Sequence, residues 1–374
     1  MVVERNRLGS LLSYITDLLF AAVLSLMPRL LLEHMAKRCL RDVYNSELDD
    51  IRFFKSARSA LTALFEALLD KDPEAVVLLP DYICNVVYRA ADHAGIGVRT
   101  YDTDQSFHPD VEQVQGLLAD ERAVAVLFAS IMGTQNNGQR LLDEIRSVRP
   151  DVAVILDESQ NLVRGSRMAL DCRTVVLLSF NNKVTSGVLG GALAFSHSSW
   201  GLSSPRVGSY KLLLTELRIW SASVRQAGRR IQRCLTPWLR TAEQYPRPEL
   251  EYSQCRRHYS VEVQPIAKLS LSRAFVGLLR LRQLELQRET NYEVFVSALR
   301  VSAAGEIVRT DRPQLAPYVP IALENQKVFG FLPLKGPYAA HDDTKVTLHP
   351  NLYAIENNGW IAYDLSAEGC RFNA

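Results

Sequence analysis

From residue 51 onward, short uninterrupted apolar runs alternate with segments whose apolar residues recur every three or four positions. The runs 75–79, 97–101, 123–128 and 152–156 read as strands, and the segments 59–69, 85–94, 111–118 and 139–148 read as helices. Another apolar run, 174–178, follows the last of them. Strands that are apolar on both faces and separated by helices predict right-handed βαβ units and a mostly parallel sheet covered on both sides. Such a sheet binds ligands beyond the carboxyl ends of its strands.

The ends of the chain follow other patterns. Between 11 and 32 the sequence is rich in leucine and alanine, with Asp17, Pro28 and Arg29 as interruptions and Arg5 and Arg7 as the only upstream cations. Leu11, Leu12, Ile15, Leu18, Leu19, Ala22 and Val23 recur at helical spacing, which predicts an apolar stripe on a helix that stops before Pro28. The stripe is expected to pack on the main body or a partner subunit. The alternative is peripheral membrane contact through residues 11–32, since the segment is too interrupted to span. Toward the other end, 269–288 reads as one periodic helix. After it, 307–308, 319–323 and 328–332 read as short strands punctuated by Pro313, Pro317, Pro320, Pro333 and Pro337.

Composition narrows the class. At 374 residues, with 47% hydrophobic and 22% charged content, the chain can bury a large core and a second, smaller one. Its formal net charge of +2 gives no support to a nucleic-acid partner. Cys39, Cys84, Cys172, Cys234, Cys255 and Cys370 are scattered with no C-x-x-C pair, so neither a zinc site nor a disulfide framework is expected, and a cytoplasmic, reducing location fits. Between 217 and 240, arginines 218, 225, 229, 230, 233 and 240 punctuate apolar residues. That pattern predicts amphipathic helices with a cationic face, suited to a diphosphate or simply to solvent.

The chemistry centres on two strand ends. The run 174–178 leads into Ser179-Phe180-Asn181-Asn182-Lys183, with Gly187, Gly190 and Gly191 beyond, and a lysine so placed can hold an aldehyde cofactor as a Schiff base. The run 152–156 ends in Asp157-Glu158-Ser159-Gln160. A carboxylate there can keep a pyridine nitrogen protonated, as pyridoxal phosphate (PLP) requires of an electron sink. Taken alone, a lysine is more often a solvated surface residue and an aspartate more often a turn or cap. Ser56 before Ala57 and Arg58 reads as a helix N-cap, and the amides behind it form a candidate phosphate site.

In this order, Ser56-Ala57-Arg58-Ser59-Ala60-Leu61, Leu79-Pro80-Asp81-Tyr82-Ile83-Cys84, Asp157-Glu158-Ser159-Gln160, and Ser179 to Lys183 followed by Gly190-Gly191 resemble the DegT/DnrJ family of PLP-dependent sugar aminotransferases. The resemblance covers residues 50 to 200 best. It implies the three-layer α/β PLP-dependent transferase (type I) fold, with a mostly parallel sheet in the large domain and a smaller α+β C-terminal domain. The expected division is an N-terminal helical segment 1–48, a PLP-binding domain 49–240 and a small domain 241–374.

Carried over, the resemblance implies that Lys183 forms the Schiff base and moves protons, that Asp157 pairs with the ring nitrogen, and that Gln160 lies near the phenolic oxygen. It also implies that the Ala57 and Arg58 amides, with Ser56 and the Ser179 hydroxyl, hold the phosphate. Cys84 falls where the family places an aromatic ring that stacks on the cofactor, and a cysteine there leaves more room or serves as a buried structural thiol. The implied substrates are a nucleotide-linked keto sugar and an amino donor such as glutamate, and the implied assembly is a homodimer. The chain departs from the family in a lysine one residue nearer the serine and in lacking a recognisable G-x-N-x-R segment between Trp200 and Arg257. Those departures keep two alternatives open: a PLP enzyme acting on a non-sugar amine or amino acid, and a noncatalytic protein of the same fold. For His349 and Arg309, substrate contact and a structural role both stay open.

Overall fold

In the computed structural model the described residues are 15–44, 48–104, 106–131, 133–136, 138–161, 170–180, 191–195 and 262–302. Shorter pieces lie at 202, 216–217, 220–221, 224, 305–307, 311, 318–323, 332–333, 352–356, 362–364 and 371–373. The described residues begin with two helices, α1 (15–24) and α2 (Arg29–Tyr44). The α/β part follows as β1 (Asp50–Phe54), α3 (Ala57–Leu69), β2 (Val76–Pro80), α4 (Asn85–Ala94), β3 (Gly97–Tyr101), α5 (Val111–Leu117), β4 (Ala123–Ala129), α6 (Gln139–Val148), β5 (Ala153–Asp157), β6 (Thr174–Ser179) and β7 (Gly191–Phe195).

These elements agree with the periodicity to within two residues where it spoke, and their ends have local causes. The Ser56 side chain accepts the Ser59 amide at the head of α3, and Asp110 accepts that of Gln113 at the head of α5. α4 stops at Gly95, which takes the left-handed conformation at φ 80° that glycine adopts without strain.

The seven strands form one sheet in the order β1-β7-β6-β5-β4-β2-β3. All neighbours are parallel except those of β7, which runs antiparallel to both β1 and β6. The mostly parallel sheet is the expected one, whereas β7 had no signal beyond its glycines. Apolar side chains of α3 and α4 pack on one face, around Leu64, Phe65, Leu79, Ile155 and Leu177. The other face is covered at one end by α5 and α6 and at the other by α2 and α7 (Lys268–Leu279). β3 and β4 lie on opposite sides of β2, so the topology opens a crevice at the carboxyl ends of β2 and β4.

The remaining elements are α8 (Leu281–Ser302), a four-stranded antiparallel sheet of β8 (Gly305–Ile307), β9 (Tyr318–Leu323), β10 (Leu332–Pro333) and β11 (Leu352–Glu356), and a pair of β12 (Ala362–Asp364) with β13 (Arg371–Asn373). Two sequence expectations change here. The single helix 269–288 is two helices, because the chain turns at Arg280 (φ −98°, ψ 7°), whose side chain pairs with Asp17 at 2.7 Å. The N-terminal helix does end before Pro28 and buries Ala21 and Leu24, while of the predicted stripe Ile15, Leu18 and Ala22 are half-buried, Leu19 and Val23 face outward, and Leu11 and Leu12 lie outside the described residues.

Candidate active site

The carboxyl edge of the sheet assembles polar residues in strand order. β1 ends at Phe54, which pairs with Gly191 at the start of β7, and Gly191 pairs in turn with Ser179 at the end of β6. A Cβ on Gly191 would lie 2.3 Å from the Ala57 nitrogen and 2.6 Å from both the Ala57 Cα and the Ser56 carbonyl carbon. Only a glycine lets β7 approach the head of α3 this closely. Ser56, Ala57, Arg58 and Ser179 are thereby brought to one corner around the first turn of α3, where helix geometry supplies the amides with no carbonyl of their own. This cradle has the donors and the helix-dipole sign that a phosphate needs.

Next along the edge stands Asp157, the last residue of β5, in register with Leu177 on one side and Ala129 on the other. It is buried, and its Oδ1 accepts the Ser159 amide at 2.9 Å. Gln160, also buried, lies in the turn that follows. The Glu158 amide donates to the Leu177 carbonyl at 2.9 Å, extending the β5–β6 ladder past Asp157. A buried carboxylate and an anion cradle at one sheet edge fit a cationic ring with a phosphate arm, so the donor set suits PLP. Lys183 and the glycines between it and β7 lie outside the described residues.

Cys84 sits at the head of α4 with φ −55° and ψ 125°, as a partly buried thiol outside any disulfide that makes no capping bond. In the same loop Asp81 is structural: it accepts the amide and hydroxyl of Thr103 at 3.1 and 3.0 Å, tying the end of β2 to the chain beyond β3. Burial pushes its carboxyl above the usual carboxylate range, against the hydrogen bond from Thr103. Tyr82 stacks on Phe107 at 5.4 Å between ring centroids. Phe107 has φ 68°, a left-handed backbone that a bulky residue adopts only when its surroundings hold it there.

What holds it was not foreseen from the sequence. Asn136 donates through Nδ2 to the Phe107 and Ala129 carbonyls at 3.0 and 2.8 Å, and its Oδ1 lies 3.1 Å from His108 Nδ1. The Asn136 amide donates to Ser130 Oγ, and that hydroxyl donates to Glu158 Oε1 at 2.7 Å, while Asn161 Nδ2 donates to Oε2 at 2.8 Å. Glu158 is fully buried beside Asp157. Burial first, and then the Glu158 charge, push the buried Tyr44 hydroxyl of α2 far above its usual pKa. A serine directly after β4 and a glutamate directly after β5 were the available signal, but nothing in the one-dimensional pattern joins them. Asp311, from the C-terminal part, accepts the Gln135 amide at 2.7 Å and lies 3.7 Å from His108 Nε2.

Arginines 218, 225, 229, 230, 233 and 240, together with Arg309 and His349, lie outside the described residues. Glu216 accepts the amides of Lys268 and Leu269 at the head of α7, and Trp220 packs against the same face of the sheet. Among the described residues no group of three His, Cys, Asp or Glu side chains could hold a metal ion.

The fold built on this edge is that of the type I aminotransferases. The chain is similar to the histidinol-phosphate aminotransferase of Clostridium acetobutylicum, at 9% identity with a TM-score of 0.57 over 93% of this chain and 90% of that one. It is similar also to DesV of S. venezuelae, solved with a ketimine intermediate, at 15% identity and a TM-score of 0.52 over 79% and 69% of the two chains. A third likeness is to the sugar aminotransferase CalS13 of Micromonospora echinospora, at 13% identity and a TM-score of 0.50 over 78% and 73%. No protein-family model and no curated protein matches the chain. At these identities the likeness defines the fold.

Proposed function

We propose that this chain is a PLP-dependent aminotransferase of the DegT/DnrJ kind, which aminates a nucleotide-linked keto sugar with glutamate or a similar donor. The observation that carries the reading is the shared sheet edge: Asp157 at the end of β5, Ser179 at the end of β6, and the α3 amides pressed against Gly191. When bound, PLP supplies an electron sink for the bond broken at the substrate carbon.

The residues of the chain do the rest. The Asp157 carboxylate, its Oδ1 fixed by the Ser159 amide, holds the proton on the ring nitrogen. The Ala57 and Arg58 amides, with Ser56 and Ser179, bind the phosphate and so fix the ring against rotation. Gln160 meets the phenolic oxygen, and Cys84 covers the ring less than an aromatic residue does, leaving room on that side for substrate. Lys183 would hold the cofactor through its amine and, in each half-reaction, would carry a proton between the substrate carbon and the cofactor's aldehyde carbon, one way with the donor and the other way with the acceptor. The proposed enzyme works in the cytoplasm as a homodimer, with a PLP-binding domain over 49–240 and a small domain over 241–374. Among the described residues no helix is long and apolar enough to cross a membrane.

The test is absorption spectroscopy of the purified protein with PLP, then with amino donors, then with a panel of keto sugars. A yellow colour that glutamate bleaches and a keto sugar restores is the expected result, and Lys183→Ala should abolish it. Protein that stays colourless with added PLP overturns the reading. A second substrate class, a non-sugar amine or amino acid, has two sequence observations in its favour: Cys84 stands where the resembled family carries an aromatic ring, and no G-x-N-x-R segment is recognisable between Trp200 and Arg257. Bleaching by an amino donor with restoration only by a non-sugar keto compound would select it, and colour without bleaching would select the noncatalytic alternative.

A further inference from the structure

The period of two along a strand sorts the carboxyl edge of the sheet into a front and a back. Ile155 of β5, Leu177 of β6 and Leu193 of β7 pack with α3 and α4. Two residues on, Asp157 and Ser179 face the same front, and Gly191 opens that row on β7, where it meets the head of α3. Val126 and Phe128 of β4, with Val154 and Leu156 of β5, pack instead with α5 and α6. The ladder runs on past both strand ends, since the Ser130 amide donates to the Asp157 carbonyl at 3.0 Å and the Glu158 amide to the Leu177 carbonyl at 2.9 Å. Ser130 and Glu158 therefore continue the back rows, and Ser130 Oγ donates to Glu158 Oε1 at 2.7 Å. Tyr44 of α2, another helix of the back face, agrees: its hydroxyl pKa is raised by burial first and by the Glu158 charge second. Glu158 stands behind the sheet edge, out of reach of a ring held in front of it.

Its carboxylate is clamped on both oxygens. The Asn136 amide donates to Ser130 Oγ at 3.2 Å, which turns the hydroxyl proton toward Oε1, and Asn161 Nδ2 donates to Oε2 at 2.8 Å. The Asn161 amide also donates to the Glu158 carbonyl at 3.0 Å. The turn 158–161 is thus closed on itself, with Gln160 inside it, and tied to the end of β4. Glu158, Ser130, Asn136 and Asn161 are all buried, where such bonds are strengthened by the low local dielectric. A buried carboxylate seldom adds net stability over an apolar group of its size, because removing it from water is costly. What it can supply is one fixed geometry, here for Asp157 just before it and Gln160 just after.

We propose that Glu158 is a positioning residue, which from the back of the sheet sets Asp157 against the ring nitrogen of PLP and Gln160 beside the ring. This role, which rests on the PLP reading above, is exerted through two contacts. Ser130 grips Glu158 with its hydroxyl and the Asp157 carbonyl with its amide, so the two acidic residues are held by one side chain and one strand end. Asn161 closes the turn that carries Gln160. Glu158 exchanges no proton with substrate or cofactor, and the pairing with the ring is left to Asp157.

Absorption titration of the full chain with PLP and with 1-deaza-pyridoxal phosphate, which has a carbon in place of the ring nitrogen, tests the role. The wild type is expected to bind PLP roughly tenfold more tightly than the analogue, the scale of one hydrogen bond to a charged group, and Asp157→Ala should abolish that preference. Glu158→Gln should cut it to about threefold, the scale of coupling within one hydrogen-bond network. Ser130→Ala, which keeps the amide bond to Asp157 and loses only the hydroxyl, should do the same. The analogue makes no bond to Asp157, so its affinity should fall much less in either variant. Melting followed by circular dichroism checks that both fold, and Ser130→Ala carries the test if Glu158→Gln does not. Retention of the tenfold preference, whether the two affinities hold or fall together, overturns the role and leaves the PLP reading standing. Failure of the wild type to bind PLP overturns both. A wild type that binds the two compounds equally removes Asp157 from the ring nitrogen, and the role of Glu158 with it.

Discussion

Replacing Gly191 by alanine tests the contact on which the phosphate cradle rests. The added methyl group would meet backbone atoms of Ser56 and Ala57 at 2.3–2.6 Å, where ordinary contact begins at 3.4 Å, so α3 and β7 must separate by up to about 1 Å. Gly191 sits in a regular strand, without a left-handed φ, so the methyl brings no backbone strain of its own. Overpacking of this kind costs about 1–3 kcal/mol, and the smaller entropy of the unfolded alanine chain returns about 0.4–1 kcal/mol. The expected net loss is about 1–2 kcal/mol, seen as a lower urea midpoint and a melting temperature reduced by a few degrees. Gly116→Ala in α5 is the matched control: a Cβ there meets nothing within 4 Å, and the change should stabilise by about 0.5–1 kcal/mol. If the cradle holds the phosphate, Gly191→Ala should also weaken PLP binding by roughly tenfold, since the α3 amides have been displaced from Ser179. A variant that melts with the wild type refutes the close approach. A destabilised variant with unchanged PLP affinity refutes the cradle and leaves the packing standing.

Ser56→Ala removes the side chain that accepts the Ser59 amide and should cost about 1 kcal/mol in a denaturant titration, whereas Ser56→Gly should cost only a few tenths. Glu158→Gln exchanges a buried acceptor of two hydrogen bonds for a group that must also place two donors, so a loss of about 1–3 kcal/mol is expected. Wild-type stability in that variant would remove Glu158 from the support of the β5 end. Burial alone would raise the Asp171 carboxyl, but its bonds to Arg146, Thr174 and the Arg173 amide outweigh burial and hold it below its usual 3.8. A carboxylate with a depressed folded pKa contributes stability above 3.8, and that contribution is lost as pH falls through the folded value. Arg146→Leu should therefore flatten the acid limb of the stability curve below about pH 4, and an unchanged limb would show that the pair at 2.5 Å carries no linkage.

Much of this architecture was readable along the chain because local burial leaves a period. Central strands such as β2 and β5 are buried at every position, helices such as α6 bury Leu142 and Ile145 one turn apart, and Asp157 and Ser179 announce strand ends by breaking an apolar run. The sequence by itself therefore determined the alternation of elements, the mostly parallel sheet, and the edge on which polar residues collect. Tertiary structure alone decided which strands are neighbours. The insertion of β7 antiparallel between β1 and β6 brings Gly191 against Ala57 across more than a hundred residues, and a glycine has no side chain to advertise so close a contact. The Glu158–Ser130–Asn136–His108 connection is equally nonlocal, since each partner reads alone as a turn residue. The N-terminal stripe shows the same limit from the other side. Helical spacing fixes which residues share a face, but the body against which α1 and α2 pack decides which face is buried, and here it leaves Leu19 and Val23 of that stripe to the solvent.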